Sequence, residues 1–476
     1  MIEKFIQQRI RQALPFPPNE GQQQLLALLA QFIIDSDRPQ SNQEVSVASA
    51  HRERKAFILR GYAGTGKTSI MAALVRAMSE LKQSVVLLAP TGRAAKVLAR
   101  YAGQPAYTIH KCIYRQRQLG VEDFALADNL KKHTLFIVDE ASMISGQRDG
   151  SSFGTGMLLD DLVKYVYSGE GCRLLLLGDD AQLPPVGSSL SPALDAQYMA
   201  GYGLQVTTYA LTQVARQALD SGILRNATYL REQLEAGGTT EENWVLGEDF
   251  RCVTGADFLE ALERAYREVG EEEVLILTRT NRRTNLYNQG IRSRILWKED
   301  EVSTGDRLMV SKNNYFWSRQ YDNLPFLANG DMPEIVRLRN TREMYGYHFA
   351  DASLRSLDYD WEIDVVLWLD TLQTDSPEAN YELQKTLFSR IAEDYPELQR
   401  NRRRLTEEVY KSPYYNALQV RFAYAVTCHK AQGGQWKRVF IDPGNVPPEQ
   451  RNTDYLRWLY TAVTRATECV YLLKNG

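Results

Sequence analysis

The stretch Gly61-Tyr-Ala-Gly-Thr-Gly66-Lys67-Thr68 constrains the fold of this chain more than any other part of the sequence. It matches the phosphate-binding loop pattern G-x4-G-K-[ST], which has meaning only between a buried strand and a helix. The apolar run 56–59 precedes it, and the helix-forming stretch 69–78 follows it. This order predicts a parallel sheet covered by helices, with a nucleoside triphosphate bound at the loop.

The loop offers two kinds of phosphate ligand. Its small residues let backbone N–H groups close around phosphate at a helix N-terminus, where the helix dipole favours negative charge. Lys67 is expected to neutralise the β- and γ-phosphates, and the Thr68 hydroxyl is expected to bind Mg²⁺. The residues predicted to hold the nucleotide are Gly61, Ala63, Gly64, Thr65, Gly66, Lys67, Thr68 and Ser69.

Composition narrows the class of protein. A chain of 476 residues predicts several domains, and 44% hydrophobic with 24% charged residues is typical of a soluble globular protein. The sequence contains neither a run of eighteen apolar residues nor a signal-peptide pattern, so we expect no membrane association. The five scattered cysteines favour a reducing cytoplasm over a zinc site or disulfides. With a net charge of −3, any nucleic-acid binding requires a local basic surface.

Apolar runs of strand length alternate with helical patterns along most of the chain, as in α/β proteins. The first core is predicted to contain strands at 57–59, 85–88, 135–138 and 174–177. A second core is predicted to begin near Val206, with strands at 206–211, 274–277, 423–427, 439–441 and 470–473. The region 302–410 breaks this rhythm with short strand-like pieces and a polar helical stretch at 376–411, which indicates an inserted β-rich module.

Two of the predicted strands end in polar residues suited to hydrolysis. The strand 136–138 is followed by Asp139, which could hold Mg²⁺, and Glu140, which could orient and deprotonate the attacking water. An ordinary acidic turn is the alternative. The strand 174–177 is followed by Gln182, which is placed to sense the γ-phosphate.

The order of motifs resembles the full series of superfamily-1 helicases, and most closely the group-B branch of RecD and Dda enzymes, which move 5′ to 3′ on single-stranded DNA. The motifs lie between Gln22 and Ala466 and read GYAGTGKTS, LLAPTGRAAKVL, TIH, FIVDEAS, LLLLGDDAQLPPVG, VARQ, CHKAQGGQW and LYTAVTRA. The resemblance implies two RecA-like parallel-sheet α/β motor domains with an inserted β-hairpin (the pin) and an inserted SH3-like β-barrel. The implied bounds are 1–203 with the pin at about 111–132, then 204–300 with 413–476, and 301–412 for the barrel with a helical extension.

The same resemblance assigns roles around the nucleotide. Gln22 matches the glutamine that reads the adenine edge, and Gln432 matches a nucleotide sensor. Arg216 and Arg465 match two arginines that reach the γ-phosphate, where they would act as arginine fingers supplied in cis. A surface salt bridge is the alternative for either arginine.

The resemblance also implies contacts to DNA. Hydroxyl, amide and cationic side chains bind the backbone without reading bases, and the matching residues are Thr91, Arg93, Thr108, His110, Thr280, Asn281, Thr427, His429 and Lys430. Five arginines between 279 and 294 make that segment locally basic, with a solvated helix face as the alternative. In the predicted pin, Tyr114 or Phe124 could stack on a base, although a hairpin packed on its own domain is nearly as good an explanation.

These predictions combine into an ATP- and Mg²⁺-dependent DNA helicase, cytoplasmic and monomeric, of the kind used in DNA repair and recombination. Its partners would be single-stranded DNA and duplexes with a single-stranded tail. Its 5′-to-3′ polarity follows from the resemblance alone. One alternative is a translocase or remodeller of single-stranded nucleic acid that does not unwind duplexes. The other is a P-loop phosphotransferase, which would need neither Arg216 nor Arg465.

Overall fold

The computed structural model describes residues 2–34, 54–116, 124–148, 153–214, 221–237, 243–321, 324, 326–357, 361–374 and 376–474. The chain forms two compact units. The first comprises Met1–Phe250, Gln432–Gln435 and Val446–Arg465, and the second comprises Arg251–Ala431, Trp436–Asn445 and Ala466–Gly476.

The first unit is built on a six-stranded sheet in the order β3-β2-β6-β7-β1-β8. Its strands, numbered along the chain, are β1 (Lys55–Gly61), β2 (Val85–Ala89), β3 (Ala106–Thr108), β6 (Leu135–Val138), β7 (Arg173–Gly178) and β8 (Gln205–Leu211). All neighbouring strands run parallel. Because parallel strands end at the same edge of the sheet, the phosphate loop and the acids after β6 and β7 come together there.

The last strand of this sheet corrects a prediction. The segment 206–211 was expected to open the second core, yet β8 pairs in parallel with β1 from Lys55↔Gln205 to Gly61↔Leu211. Without β8, β1 would expose a row of unpaired backbone groups on the side away from β7. A strand-length apolar run does not indicate which sheet it joins, so the sequence could not decide this point.

Helices cover both faces of this sheet and bury its apolar side chains. The helices of the first unit are α1 (Ile2–Ala13), α2 (Glu20–Ile34), α3 (Lys67–Glu80), α4 (Gly92–Ala102), α5 (Ile109–Ile113), α6 (Leu158–Ser168), α7 (Ala196–Ala200), α8 (Gly222–Glu235) and α13 (Thr453–Val463). One core cluster joins α1, α2 and α3 to the sheet through Ile10, Leu29, Phe57 and Leu74, none of which is exposed. This packing fixes the phosphate loop between β1 and α3.

A two-stranded antiparallel pair follows α5. It consists of β4 (Tyr114–Gln116) and β5 (Phe124–Leu126), and Tyr114 lies opposite Leu126. The connecting residues 117–123 of the predicted hairpin lie outside the described part of the chain.

The second unit contains a second α/β sheet in the order β16-β10-β17-β18-β9. Its strands are β9 (Phe250–Thr254), β10 (Val274–Thr278), β16 (Ala425–Thr427), β17 (Trp436–Asp442) and β18 (Ala466–Lys474), and its helices are α9 (Phe258–Val269) and α10 (Asn281–Arg294). The pairs β16–β10, β10–β17 and β17–β18 are parallel. The prediction of two parallel-sheet α/β units is therefore confirmed.

The predicted β-rich insertion contributes four strands to a five-stranded sheet in the order β11-β15-β14-β13-β12, and the fifth strand, β15, lies beyond the predicted bound at residue 412. Its strands are β11 (Leu308–Val310), β12 (Pro333–Met344), β13 (Tyr347–Ser356), β14 (Glu362–Trp368) and β15 (Leu418–Phe422). The two edge strands of this sheet, β11 and β12, also meet each other. Gly305, just before β11, donates its N–H to Ile335 O in β12 at 2.7 Å, and the backbones of Arg307 and Glu334 form an antiparallel β-bridge. The sheet shares a buried cluster with the second α/β sheet, so the insertion is not a separate hydrophobic core.

The polar helical stretch predicted at 376–411 is present as α11 (Pro377–Ala392) and α12 (Arg402–Val409). Both helices pack on one face of the five-stranded sheet, where Leu387, Ile391 and Val409 are buried with Phe349 and Trp368. Among the described residues, no helix combines the length and apolarity needed to cross a membrane.

Candidate active site

The phosphate loop has the local geometry that its sequence predicts. Gly66 caps α3 in the left-handed conformation (φ 89°), and Lys67 is the first residue of the helix. A Cβ at Gly66 would lie 2.8 Å from Gln22 Nε2, so only glycine fits. The N–H groups of the first turn of α3, which starts with Lys67, Thr68 and Ser69, have no intrahelical acceptors, as phosphate binding requires. The residues therefore fit a nucleoside triphosphate.

Gln22 braces this loop. Its Nε2 donates to Thr65 O at 3.0 Å, and its Oε1 accepts from Asn19 N at 3.0 Å. The side chain is 1% exposed, so both ends of the amide are used within the protein. The predicted reading of adenine by Gln22 stays a prediction, and the loop contact is an additional role.

Lys67 lies among carbonyl and carboxylate oxygens. Its Nζ donates to Gly61 O and to Tyr62 O, the latter at 3.1 Å. Asp179 Oδ2, at the end of β7, is 4.0 Å from the same nitrogen. The lysine is thus held beside the loop by oxygens that a phosphate group could replace.

The two acids after β6 lie at the same edge of the sheet. Glu140 adopts a left-handed conformation (φ 51°), which costs a non-glycine residue roughly 1–3 kcal/mol and is found at functional sites. Its N–H donates to Asp139 Oδ1 at 2.9 Å. Burial raises the pKa of both carboxyls, while Lys67 opposes this shift for each of them. A base with a raised pKa is better matched to proton abstraction near neutral pH.

Arg465 completes this arrangement. It is 3% exposed, and its Nη1 lies 3.9 Å from Glu140 Oε1. The guanidinium also donates to Thr461 O at 3.1 Å and to Gly434 O at 3.3 Å. This burial excludes the alternative of a surface salt bridge. Arg216, its predicted companion, lies outside the described residues.

Tyr460 and Asp179 are functional candidates that the sequence reasoning missed. Tyr460 Oη donates to Asp179 Oδ2 at 2.7 Å and accepts from Ala63 N–H at 2.9 Å. The tyrosine therefore connects α13 to the phosphate loop and to β7. Both residues belong to the quoted motifs. Tyr460 lies in an apolar stretch of α13, a position that normally indicates core packing, so the sequence did not predict its hydrogen bonds.

Gln432 and Gln182 lie at a second junction within the first unit. Gln432 Nε2 donates to Leu183 O at 2.7 Å, and Leu183 N–H donates to Thr461 Oγ1 at 2.9 Å. Gln182 is 6% exposed, and its Oε1 has no hydrogen-bond partner among the described residues. A buried amide oxygen without a donor is costly in a folded protein and fits a ligand-sensing role.

The turn after Gln432 needs glycine. Gly433 has a φ of 74°, and a Cβ there would lie 2.8 Å from Ala94 Cβ and 3.0 Å from Thr91 Oγ1. The turn is therefore packed closely against the start of α4.

Three of the predicted DNA contacts are also helix caps. Thr91, Thr108 and Thr280 accept N–H donors at the starts of α4, α5 and α10, over distances of 3.2, 3.2 and 3.3 Å. Helix capping therefore accounts for each of these threonines even without the predicted contact to DNA. Arg93 donates to Gln435 O at 3.3 Å, and the ring of His110 lies 4.9 Å from that of Phe153.

The predicted stacking residues of the pin are buried. Tyr114 and Phe124 are each 5% exposed, with ring centroids 5.0 and 4.7 Å from that of Phe153. Tyr114 Oη also donates to Asp161 Oδ2 at 2.8 Å. This burial favours the packed-hairpin alternative, and base stacking by Tyr114 or Phe124 stays a prediction.

In the second unit, three predicted contacts surround one cavity of about 360 Å³, namely Asn281, Thr427 and Lys430. Burial, together with Arg421, lowers the pKa of Lys430 to about 8. His429 is exposed and does not line this cavity, and its pKa is lowered by partial burial.

The arginine-rich segment has a mixed role. Arg292 pairs with Asp306 at 3.0 Å and Arg283 pairs with Asp442, so these two cations have structural partners. Arg279, Arg282 and Arg294 are exposed.

Two family models match the chain. An AAA-domain model covers residues 39–245, and a model of the UvrD-like helicase C-terminal domain covers residues 422–473. Together with the phosphate loop, the acids after β6 and the buried Arg465, these matches define a P-loop ATPase with a helicase-type C-terminal segment.

Individual relatives agree with this class. The chain is 25% identical to the ATP-dependent RecD2 DNA helicase of Deinococcus radiodurans over 90% of its own length and 48% of that protein, so it spans about half of this relative. It is 26% identical to the ATP-dependent DNA helicase dda of Enterobacteria phage T4, over 64% of this chain and 69% of that one. These relatives are consistent with the predicted resemblance to the RecD/Dda-like group-B branch of superfamily-1 helicases.

Among solved structures, the Pif1 helicase of Candida albicans aligns over 89% of this chain and 91% of that one, with a TM-score of 0.41 and 14% identity.

Proposed function

We propose that the protein is an ATP-dependent DNA helicase that moves 5′ to 3′ along single-stranded DNA and couples hydrolysis to duplex unwinding. The observation that carries this proposal is the position of Arg465, buried 3.9 Å from Glu140 in the site that contains the phosphate loop. A simple phosphotransferase has no need of this arginine, whereas a motor uses it to respond to the γ-phosphate.

The site residues divide the chemical work. Lys67 and the N–H groups that start α3 would bind the triphosphate, while Thr68 and Asp139 would hold Mg²⁺. When bound, Mg²⁺ supplies charge neutralisation at the phosphates. Glu140 would orient a water and accept its proton, and Arg465 would stabilise negative charge that develops opposite that carboxylate. Tyr460 positions Asp179 and the loop through its two hydrogen bonds.

Each unit carries its own candidates for DNA contact. In the first unit these are Thr91, Arg93, Thr108 and His110, and in the second they are Thr280, Asn281, Thr427, His429 and Lys430. The pair β4–β5 is proposed as the strand-separating pin, in which Tyr114 and Phe124 stiffen the hairpin. The five-stranded sheet, whose end strands meet, is proposed as the SH3-like module of RecD-type enzymes.

The cytoplasm is the proposed location of the protein, as the sequence predicts. The five cysteines form no disulfide with one another, which suits a reducing cytoplasm. Action as a monomer on single-stranded DNA and on tailed duplexes, in repair or recombination, remains a prediction. A translocase that does not unwind duplexes is the second candidate, because the same ATPase residues serve it.

DNA-stimulated ATP turnover tests the motor. We expect oligothymidine to stimulate turnover by the wild type, and Arg465→Ala to lose at least about 10³-fold of it, as arginine fingers do. Lys67→Ala serves as the inactive control. Turnover that ignores DNA, or that survives Arg465→Ala, would contradict a motor and favour a phosphotransferase.

A further inference from the structure

The extension formed by α11 and α12 has no role in the function described above, yet α11 reaches the cavity of the second unit. Asn380, Tyr381 and Gln384 of α11 line this cavity together with Thr427 and Lys430. Leu387 and Ile391, further along the helix, are 0% and 1% exposed in the cluster with Trp368. The later turns of the helix are thus anchored in a core cluster, and its first two turns form part of the wall of the cavity.

The charge of the cavity favours an anion. The residues that line it include the cations Lys312, Arg421 and Lys430, and no aspartate or glutamate is among them. Lys312 Nζ donates to Gln384 Oε1 at 2.9 Å, and Lys430 Nζ donates to Asn329 Oδ1 at 2.7 Å. Neither lysine has a carboxylate within 4.0 Å among the described residues, so neutral amides position both ammonium groups without neutralising them.

The lining also suits a base. Tyr381 is 67% exposed, so its ring is available for stacking on a base. Phe422 forms part of the same lining, and the remaining polar residues are amides and hydroxyls, which bind sugar and phosphate without preference for sequence. Cationic groups that track a backbone, combined with exposed aromatic rings, characterise sites for single-stranded nucleic acid.

We propose that α11 supplies an additional single-stranded DNA subsite, in which Tyr381 stacks on a base while Lys312 and Lys430 bind the adjoining phosphates. This inference rests on the proposed function, since it extends the DNA track from Thr427 and Lys430 onto the helical extension. The cavity of about 360 Å³ is of the size that holds small ligands, which suits a nucleotide of a single strand.

Binding of labelled oligothymidine to the full-length protein, measured by fluorescence anisotropy over a series of salt concentrations, tests the subsite. Tyr381→Ala should weaken binding by about 5-fold or more, the loss of one stacked base, and Tyr381→Phe should bind as the wild type does. Lys312→Ala should lower the slope of log affinity against log salt by about 0.7, the value for one phosphate on a single strand.

Lys385→Ala is the matched control for Lys312→Ala. Lys385 lies on α11 with Tyr381 but outside the cavity, is 67% exposed and is 3.9 Å from Glu382, so its loss should leave the slope unchanged. A photoreactive iodouracil in the oligonucleotide should also crosslink to the peptide that contains Tyr381.

The outcomes separate the two proposals. If the wild type binds DNA and its turnover is stimulated, but Tyr381→Ala and Lys312→Ala behave as wild type, the subsite is refuted and the helicase stands. If Lys312→Ala and Lys385→Ala lower the slope equally, the effect is one of overall charge, and the subsite is again refuted. If the wild type does not bind oligothymidine, both proposals fall.

Discussion

Glu140→Gln tests the assignment of the base most directly. The substitution keeps the shape of the side chain and removes only its charge. General-base catalysis contributes roughly 10²- to 10⁴-fold, or about 3–5 kcal/mol of barrier, so DNA-stimulated ATP turnover should fall by that factor. Binding of a fluorescent ATP analogue should persist, because the phosphate loop and Lys67 are unchanged.

The structure also sets the expected effect on stability. At 3.9 Å, the attraction between Glu140 and Arg465 is worth about 4 kcal/mol at an effective dielectric constant of about 20. The cost of burying both charges offsets most of this attraction. Arg465 keeps its bonds to Thr461 O and Gly434 O, so the loss of one charge should not displace it. The substitution nevertheless leaves the Arg465 charge, which is 3% exposed, without its carboxylate, so the free energy of unfolding should fall by about 3–5 kcal/mol.

The control makes the same chemical change outside the site. Glu80 is 58% exposed and pairs only at 3.6 Å with Arg9, so Glu80→Gln should leave turnover and unfolding unaltered. Near-normal turnover in Glu140→Gln would refute the base assignment. A fall in the free energy of unfolding well beyond about 5 kcal/mol would show instead that the carboxylate is structural.

Three further predictions concern single side chains. Tyr460→Phe removes a donor to Asp179 and an acceptor for Ala63 N–H, so thermal unfolding should reveal a loss of roughly 1–3 kcal/mol, and an unchanged midpoint would contradict the bracing role. Gly433→Ala should destabilise by at least about 1 kcal/mol because of its positive φ and close neighbours, and a neutral effect in the same assay would show that the turn can relax. The affinity for oligothymidine should fall as pH rises through about 8, because Lys430 is charged below its lowered pKa and neutral above it. Lys430→Arg should make the affinity independent of pH in this range, since arginine stays charged. A wild-type affinity that does not change with pH would contradict the contact between Lys430 and DNA.

The local motifs predicted which residues meet at this edge of the sheet, because each motif is a strand followed directly by polar residues. The phosphate loop and the acids Asp139 and Glu140 needed only the rule that parallel strands end at one edge of a sheet. Arg465 required the family resemblance, since no local pattern links residue 465 to residue 140.

Other features depend on partners distant in sequence. The strand β8 pairs with the edge of β1 that faces away from β7, and nothing in the sequence of β8 indicates this partner. Tyr114 and Phe124 are buried because Phe153 and Asp161 supply their partners, and neither partner belongs to the hairpin. The role proposed for α11 could be inferred only because the fold places Tyr381 and Lys430 around one cavity.

Strand separation on tailed duplexes tests the central claim. The purified protein, with ATP and Mg²⁺, should open a duplex that carries a 5′ single-stranded tail and leave the duplex with a 3′ tail closed, and Lys67→Ala should open neither. A preference for the 3′ tail would contradict the polarity of the group-B assignment. If neither duplex opened while single-stranded DNA still stimulated turnover, the protein would be a translocase and the helicase proposal would be wrong.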